Sequence, residues 1–241
     1  MALFEGHIAA VTGAGSGIGK AVALNLARQG AHVCLLGRTD GKLRAVAEAI
    51  NSKGMNASCY PVDLCDDAGL RECAAALCTD LGRLNILVHS AGMYARGPLS
   101  SASITDFDTL FQINVRGPYL LTQLLLPAIL SCRGQIAFVN STAGLRATAF
   151  NGQYAATKHA LKAVADSLRA EVGERGVRVM SVYPGRTATP MQNQVLRLEG
   201  RACPVELLMQ PGDVAEAVVS SLSMPHRAHV TDIQIWPTAR V

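Results

Sequence analysis

The sequence predicts an α/β fold, a doubly wound and mostly parallel seven-stranded sheet with helices on both faces. Three observations carry this reading. Short apolar runs of strand length alternate with segments of helical periodicity along the whole chain. A glycine-rich turn, T-G-A-G-S-G-I-G at 12–19, follows the first apolar run and opens directly into a helical pattern. The 241 residues are 49% hydrophobic and only 17% charged, enough apolar material to bury both faces of a sheet. One domain spanning 1–241 is the expectation, with a short substrate lid at about 190–210.

In chain order, His7 to Thr12 reads as a buried strand, and a helix from Gly17 to Gln29 ends at Gly30. Ala31 to Leu36 is the second strand, followed by a helix to Ser52. A third strand, Ala57 to Val62, precedes a helix over Asp67 to Leu81, and Leu84 to His89 is the fourth strand. One long helical pattern covers Thr105 to Ser131, and Gln135 to Asn140 is the fifth strand. The next helix ends near Arg175, with a sixth strand at Val177 to Tyr183. A less regular stretch, Thr187 to Gln210, leads to a helix at Asp213 to Ser223 and a last strand at Asp232 to Trp236. Such alternation places ligands at the carboxyl ends of the strands.

Composition narrows the function classes. The net charge of +4 is mild, and no Lys/Arg run is long enough to mark a nucleic-acid surface. The start, M-A-L-F-E-G-H, lacks the basic region of a signal peptide. The most apolar run, Tyr119 to Leu130, is too short to span a bilayer, so no membrane association and a cytoplasmic location are expected. Seven cysteines without a C-x-x-C pair read as reduced, mostly buried thiols. No metal site is expected, and His226 and His229 read as residues of a polar loop.

Chemistry concentrates in Ser141 to Lys158, where Tyr154 and Lys158 stand four residues apart on one helix face. A free Tyr titrates near 10, and a neighbouring ammonium is expected to favour its phenolate. So tuned, Tyr154 can exchange a proton with an oxygen in carbonyl–alcohol chemistry, with the Ser141 hydroxyl holding that oxygen. The glycines at 13, 15, 17 and 19 let backbone N–H groups approach a pyrophosphate at a helix N-terminus. At the end of the second strand stands Leu36-Gly37-Arg38, a guanidinium where NAD sites carry an acid. This favours NADP(H) over NAD(H), while nearby Asp40 weighs the other way.

These features together resemble the short-chain dehydrogenase/reductase family in its compact, single-domain, Rossmann-fold form, over nearly the whole chain. The signatures fall in family order: the turn at 12–19, Ser90-Ala91-Gly92, Asn114, Ser141 with Tyr154-x-x-x-Lys158, and Pro184-Gly185 followed by Thr189. The resemblance implies Tyr154 as general acid or base, and Lys158 as the group that lowers its pKa and holds the nicotinamide ribose. It implies Ser141 on the reacting carbonyl, and Asn114 steadying a water in a proton relay from Lys158. Gly13, Ser16, Gly17, Ile18 and Gly19 would line the cofactor loop. Asp63, with Leu64 beside it, would meet the adenine, and Ser90, Ala91 and Gly92 the adenosine ribose. Pro184, Gly185, Thr187 and Thr189 would embrace the carboxamide and phosphates.

Two departures from the family pattern stand out. His89-Ser90 replaces the usual two asparagines, so His89 is expected to be a buried, hydrogen-bonded residue in place of a sheet-bracing amide. Asn140 precedes Ser141 where a second Ser is common, which leaves Thr142 as a rival hydroxyl. Around the substrate, Arg96, Arg146 and Arg186 either clamp an anionic group or stand as solvated loop charges. The apolar helices over Asn114 and Tyr154 resemble those through which the family forms homodimers and homotetramers.

The function implied is an NADP(H)-dependent oxidoreductase, a carbonyl reductase or alcohol dehydrogenase acting on a small carbonyl or secondary alcohol. Two alternatives stay open: an NAD(H)-linked hydroxy-acid or sugar-alcohol dehydrogenase, and a non-catalytic NADP(H)-binding sensor or scaffold.

Overall fold

A computed structural model describes residues 2–202 and 204–239. Seven parallel strands form one sheet: β1 (Ile8–Thr12), β2 (His32–Gly37), β3 (Ala57–Pro61), β4 (Ile86–His89), β5 (Gln135–Val139), β6 (Arg178–Pro184) and β7 (Asp232–Ile235). Their order is β3-β2-β1-β4-β5-β6-β7, so the winding reverses beside β1. That reversal opens a crevice at the carboxyl ends of β1 and β4. This is the doubly wound, Rossmann-like architecture that the strand–helix alternation predicts.

Successive strand residues enter opposite layers. Ala9, Val11, Val33 and Leu35 pack with α1 (Gly17–Arg28), α2 (Asp40–Asn51) and α8 (Pro211–Leu222). Ala10, Cys34 and Leu36 face α3 (Asp67–Leu81), α5 (Gly117–Ser131) and α6 (Gly152–Val172). Burying both faces explains why β5 and β6 do not alternate apolar with polar residues. Each fully buried Leu contributes about 1.5–3 kcal/mol relative to exposure.

Helix starts follow the side chains at hand. Asp66 accepts from the backbone N–H groups of Ala68 and Gly69 at the head of α3. Ser103 caps α4 (Ile104–Phe111), and Thr189 caps α7 (Pro190–Glu199), where proline occupies the first turn. Ser16, before α1, makes no side-chain cap, so the first N–H groups of α1 are not taken by it.

Most element ends lie within two residues of expectation, and α3 coincides with it. Two regions differ. The long pattern from Thr105 to Ser131 is interrupted: α4 passes through a π-helical turn, Gln112–Arg116, before α5 begins. The extra residue rotates Asn114 out of simple helical phase, which periodicity alone does not reveal. The stretch after Thr187 is also more regular than expected, because α7 forms there. The thiols differ too: Cys34 is buried, Cys59, Cys73 and Cys132 are half-buried, and Cys65 and Cys78 are exposed. All six are free, and Cys203 lies outside the described residues.

Candidate active site

A cavity of about 620 Å³ runs across the carboxyl ends of the strands. The loops after β1, β2 and β3 line one half, and those after β4, β5 and β6, together with α7, line the other. The glycine turn forms its floor. Gly13 adopts a φ of +67°, and a Cβ there would lie 2.9 Å from the Ala91 backbone. A Cβ on Gly19 would approach the Gly13 carbonyl oxygen to 2.5 Å, so its absence lets α1 start close against β1. Thr12 ties the two loops together, its Oγ1 accepting from Ser90 N and Ala91 N at 3.0 and 3.1 Å.

Gly13, Ser16, Gly17, Ile18 and Gly19 all reach this cavity, as do Arg38, Asp63 and Leu64. Ser90, Ala91 and Gly92 line it from the β4 loop, and Pro184, Gly185, Thr187 and Thr189 from the β6 loop. Arg38 is exposed and makes no ion pair or hydrogen bond among the described residues. Asp40, by contrast, is engaged by Arg44 at 2.6 Å and does not line the cavity. Lys42, a cation that sequence spacing left unremarked, joins Arg38 at the cavity wall. Its position in the first turn of α2 was the available signal.

Ser141, Tyr154 and Lys158 meet in the other half. Their arrangement depends on Asn140, whose Oδ1 accepts from Ser141 N at 2.9 Å and whose Nδ2 donates to the Lys158 carbonyl at 3.0 Å. One amide thereby ties the β5 loop to α6. Ser141 Oγ accepts from Ala143 N at 3.1 Å, and Thr142 also borders the cavity. Lys158 Nζ donates to the Val139 carbonyl at 3.2 Å and lies 5.6 Å from the Tyr154 ring centre. Tyr94 packs edge-on against Tyr154 at 5.0 Å.

The electrostatics correct the expected tuning of Tyr154. Burial pushes its hydroxyl up to about 12; a Ser141 hydrogen bond opposes this and Tyr94 adds to it. The phenol is therefore protonated at neutral pH, burial outweighing the nearby Lys158 ammonium. Burial brings Lys158 itself down to about 8. The i, i+4 spacing aligns the two side chains along the helix, and one of the three ammonium N–H groups donates to β5.

Asn114 does not line the cavity. It lies behind it, 1% exposed, and its side-chain amide makes three hydrogen bonds. Its Oδ1 accepts from Met93 N at 2.8 Å, and its Nδ2 donates to Met93 O at 2.9 Å and to Thr157 Oγ1 at 3.0 Å. Thr157 in turn donates to the Tyr154 carbonyl at 2.8 Å. The π turn thus braces the β4 loop against the Tyr154 helix.

His89 is buried, as expected, and stacks on Phe138 with ring centres 4.9 Å apart. Thr122 donates its hydroxyl proton to the Pro118 carbonyl, so the Thr122 oxygen accepts from His89 Nε2–H at 2.8 Å. Nδ1 is then a bare acceptor, without a partner among the described residues. Burial brings the imidazole down to about 3, which keeps it neutral.

The arginines divide. Arg146 is exposed and away from the cavity, whereas Arg96 and Arg186 both line it. Neither is a free clamp, because Glu199, at the end of α7, stands between them. Arg186 Nη2 donates to both Glu199 carboxylate oxygens at 2.9 and 2.8 Å, and Arg96 Nη1 lies 3.6 Å from Oε1. Sequence reading missed Glu199, which is 103 and 13 residues from its two partners.

A doubly wound parallel sheet, a glycine turn at its switch point and a Ser–Tyr–Lys group in the same crevice define a dinucleotide-binding class of α/β proteins. Residues 7–199 match the short chain dehydrogenase family, and the chain belongs to it. Its relatives are oxidoreductases. An uncharacterized oxidoreductase of Staphylococcus epidermidis is 32% identical over 98% of this chain and 100% of its own. An uncharacterized NAD-dependent oxidoreductase of Mycobacterium tuberculosis is 35% identical over 78% of this chain and 74% of its own. Among solved structures, a short chain dehydrogenase from Shigella flexneri complexed with NADP superposes with a TM-score of 0.90, at 31% identity over 97% and 98% of the two chains. Actinorhodin polyketide ketoreductase with NADPH gives 0.89 at 25% identity, over 96% of each chain. No helix among the described residues is long and apolar enough to cross a membrane.

Proposed function

We propose that this oxidoreductase is an NADP(H)-dependent carbonyl reductase or alcohol dehydrogenase acting on a small carbonyl or secondary alcohol. One observation carries the reading: Ser141, Tyr154 and Lys158 line the same cavity as the glycine turn and the unpaired Arg38. The residues fit a dinucleotide. The turn has no side chains that would fill the approach to α1, and the α1 start has no Ser16 side-chain cap competing for an anion. Arg38 and Lys42 would hold a 2′-phosphate, Asp63 and Leu64 the adenine, and Ser90, Ala91 and Gly92 the ribose. Pro184, Gly185, Thr187 and Thr189 would face the nicotinamide end. When bound, the nicotinamide supplies or accepts the hydride.

The chain's own residues supply the rest. Ser141 Oγ holds the reacting oxygen, and Tyr154, whose proton is retained through burial, donates it to that oxygen during reduction. Lys158 follows on the same helix face to hold ribose hydroxyls and offset charge that develops on the phenol. Asn114 steadies the loop and helix on either side of this group. We further assign one domain, with α7 and the segment after it as a cover that closes over substrate. A cytoplasmic homodimer or homotetramer built through α5 and α6 completes the proposal.

The test is fluorescence titration of NADPH and NADH against wild type and Arg38→Ala, followed by NADPH oxidation with a panel of carbonyl compounds. NADPH binding weakened in Arg38→Ala, with turnover abolished by Tyr154→Phe, supports the reading. A preference for NADH that Arg38→Ala leaves unaltered overturns the cofactor assignment and favours an NAD(H)-linked dehydrogenase.

A further inference from the structure

The half of the cavity around Tyr154 carries an excess of positive charge. Lys158, Arg96 and Arg186 line it against the one carboxylate of Glu199. The three charges beyond Lys158 form a network. Arg186 gives both of its contacts to Glu199 through Nη2, while its Nη1 is buried and has no hydrogen-bond partner among the described residues. Arg96 approaches Glu199 more loosely and lies over the Phe150 ring at 5.3 Å. A buried guanidinium N–H without an acceptor is costly, and two cations sharing one anion leave a surplus of one charge.

We propose that this cluster is an anion subsite and that the substrates are carbonyl compounds bearing a carboxylate, such as keto acids. This deepens, and rests on, the reading of the cavity as an oxidoreductase site. The carboxylate of such a substrate balances the surplus charge shared by Arg186 and Arg96, whose partly exposed side chains line the cavity. Its carbonyl then turns toward Ser141 and Tyr154 in the same cavity. Glu199 plays a second part: because it ends α7 while its partners sit on the β4 and β6 loops, it holds the cover helix against both walls. It also repels a second negative charge, which favours monoanions over dianions.

The test is calorimetric titration of the full chain, with saturating NADP⁺ and again without it. The probes are pyruvate, acetoacetate and levulinate, each against its own methyl ester. The proposal expects at least one acid to bind about tenfold or more tightly than its ester, since only the acid can form a charge-assisted pair with guanidinium. Glu199→Gln removes the competing carboxylate and should widen that ratio. The double variant Arg186→Met with Glu199→Gln removes that pair and leaves only the partly exposed Arg96 of the cluster, so its ratio should fall well below that of Glu199→Gln. Equal binding of acid and ester in all three pairs, no binding of any acid, or an acid preference in the double variant as large as in Glu199→Gln overturns the proposal. An acid preference that persists where NADP⁺ does not bind supports the subsite and defeats only the cofactor reading. A melting curve checks that each variant is folded, and Glu199→Gln alone decides the matter where the double variant is not.

Discussion

The Lys158 ammonium donates to the carbonyl oxygen of Val139 at 3.2 Å, in a site where burial alone lowers its pKa to about 8. A charge held there costs stability, because one carbonyl replaces a full shell of water. The folded state bears this cost at every pH below about 8, and it fades as pH rises from there toward the unfolded lysine value. Lys158→Met should therefore stabilise the protein at neutral pH by on the order of 1–3 kcal/mol while abolishing hydride transfer. Urea unfolding at pH 7 and pH 10 checks it. A destabilised variant, or a gain that does not shrink at the higher pH, would contradict the account.

His89 predicts an acid-side dependence. Its folded value, brought down to about 3 by burial, lies below the ordinary value near 6.5. Between those limits the unfolded chain binds a proton that the native protein excludes, so stability falls as pH drops below about 6.5, at up to about 1.4 kcal/mol per unit. His89→Asn removes this contribution. The stability difference between wild type and variant should move in the variant's favour between pH 7 and pH 5. A difference that stays constant would show that His89 is not held neutral.

Asn114 offers a test of bracing. Replacing it by alanine strands Met93 N, Met93 O and Thr157 Oγ1 in a buried setting, at a cost of about 2–4 kcal/mol. Thr157→Val should cost less, since it breaks one of those three bonds together with its own bond to the Tyr154 carbonyl. Chemical denaturation of both variants ranks them, and the reverse order would refute the bracing role.

Gly19 tests the turn. A Cβ there meets the backbone oxygens of Gly13 at 2.5 Å and Thr12 at 3.0 Å, and neither can yield by rotating a side chain. Gly19→Ala should destabilise by about 1–3 kcal/mol and weaken NADPH binding, because α1 must back away from the turn. Gly41→Ala, whose Cβ would meet nothing within 4 Å outside its neighbours and its own helix backbone, is the matched control and should not destabilise. If both variants bind NADPH like wild type, close approach of α1 is not required.

What the sequence determined by itself is local, or repeated often enough to be read. Strand–helix alternation, the glycine turn and the four-residue spacing of Tyr154 and Lys158 depend on neighbours within a turn or two. Those features specified the sheet class, the glycine floor of the cavity and its Tyr154–Lys158 pair. Arg38, with no carboxylate at the tip of its strand, was legible for the same reason. The tertiary structure decided whatever depends on meeting across the sheet or on burial. The π turn directs Asn114 toward Met93 and Thr157, 21 and 43 residues away, and no periodicity encodes that. Glu199 became visible as the counter-ion of Arg96 and Arg186 only once α7 folded back between two loops. The Tyr154 pKa reversed direction for the same physical reason: spacing fixes which side chains share a face, while desolvation, which fixes charge, is a property of everything packed around them.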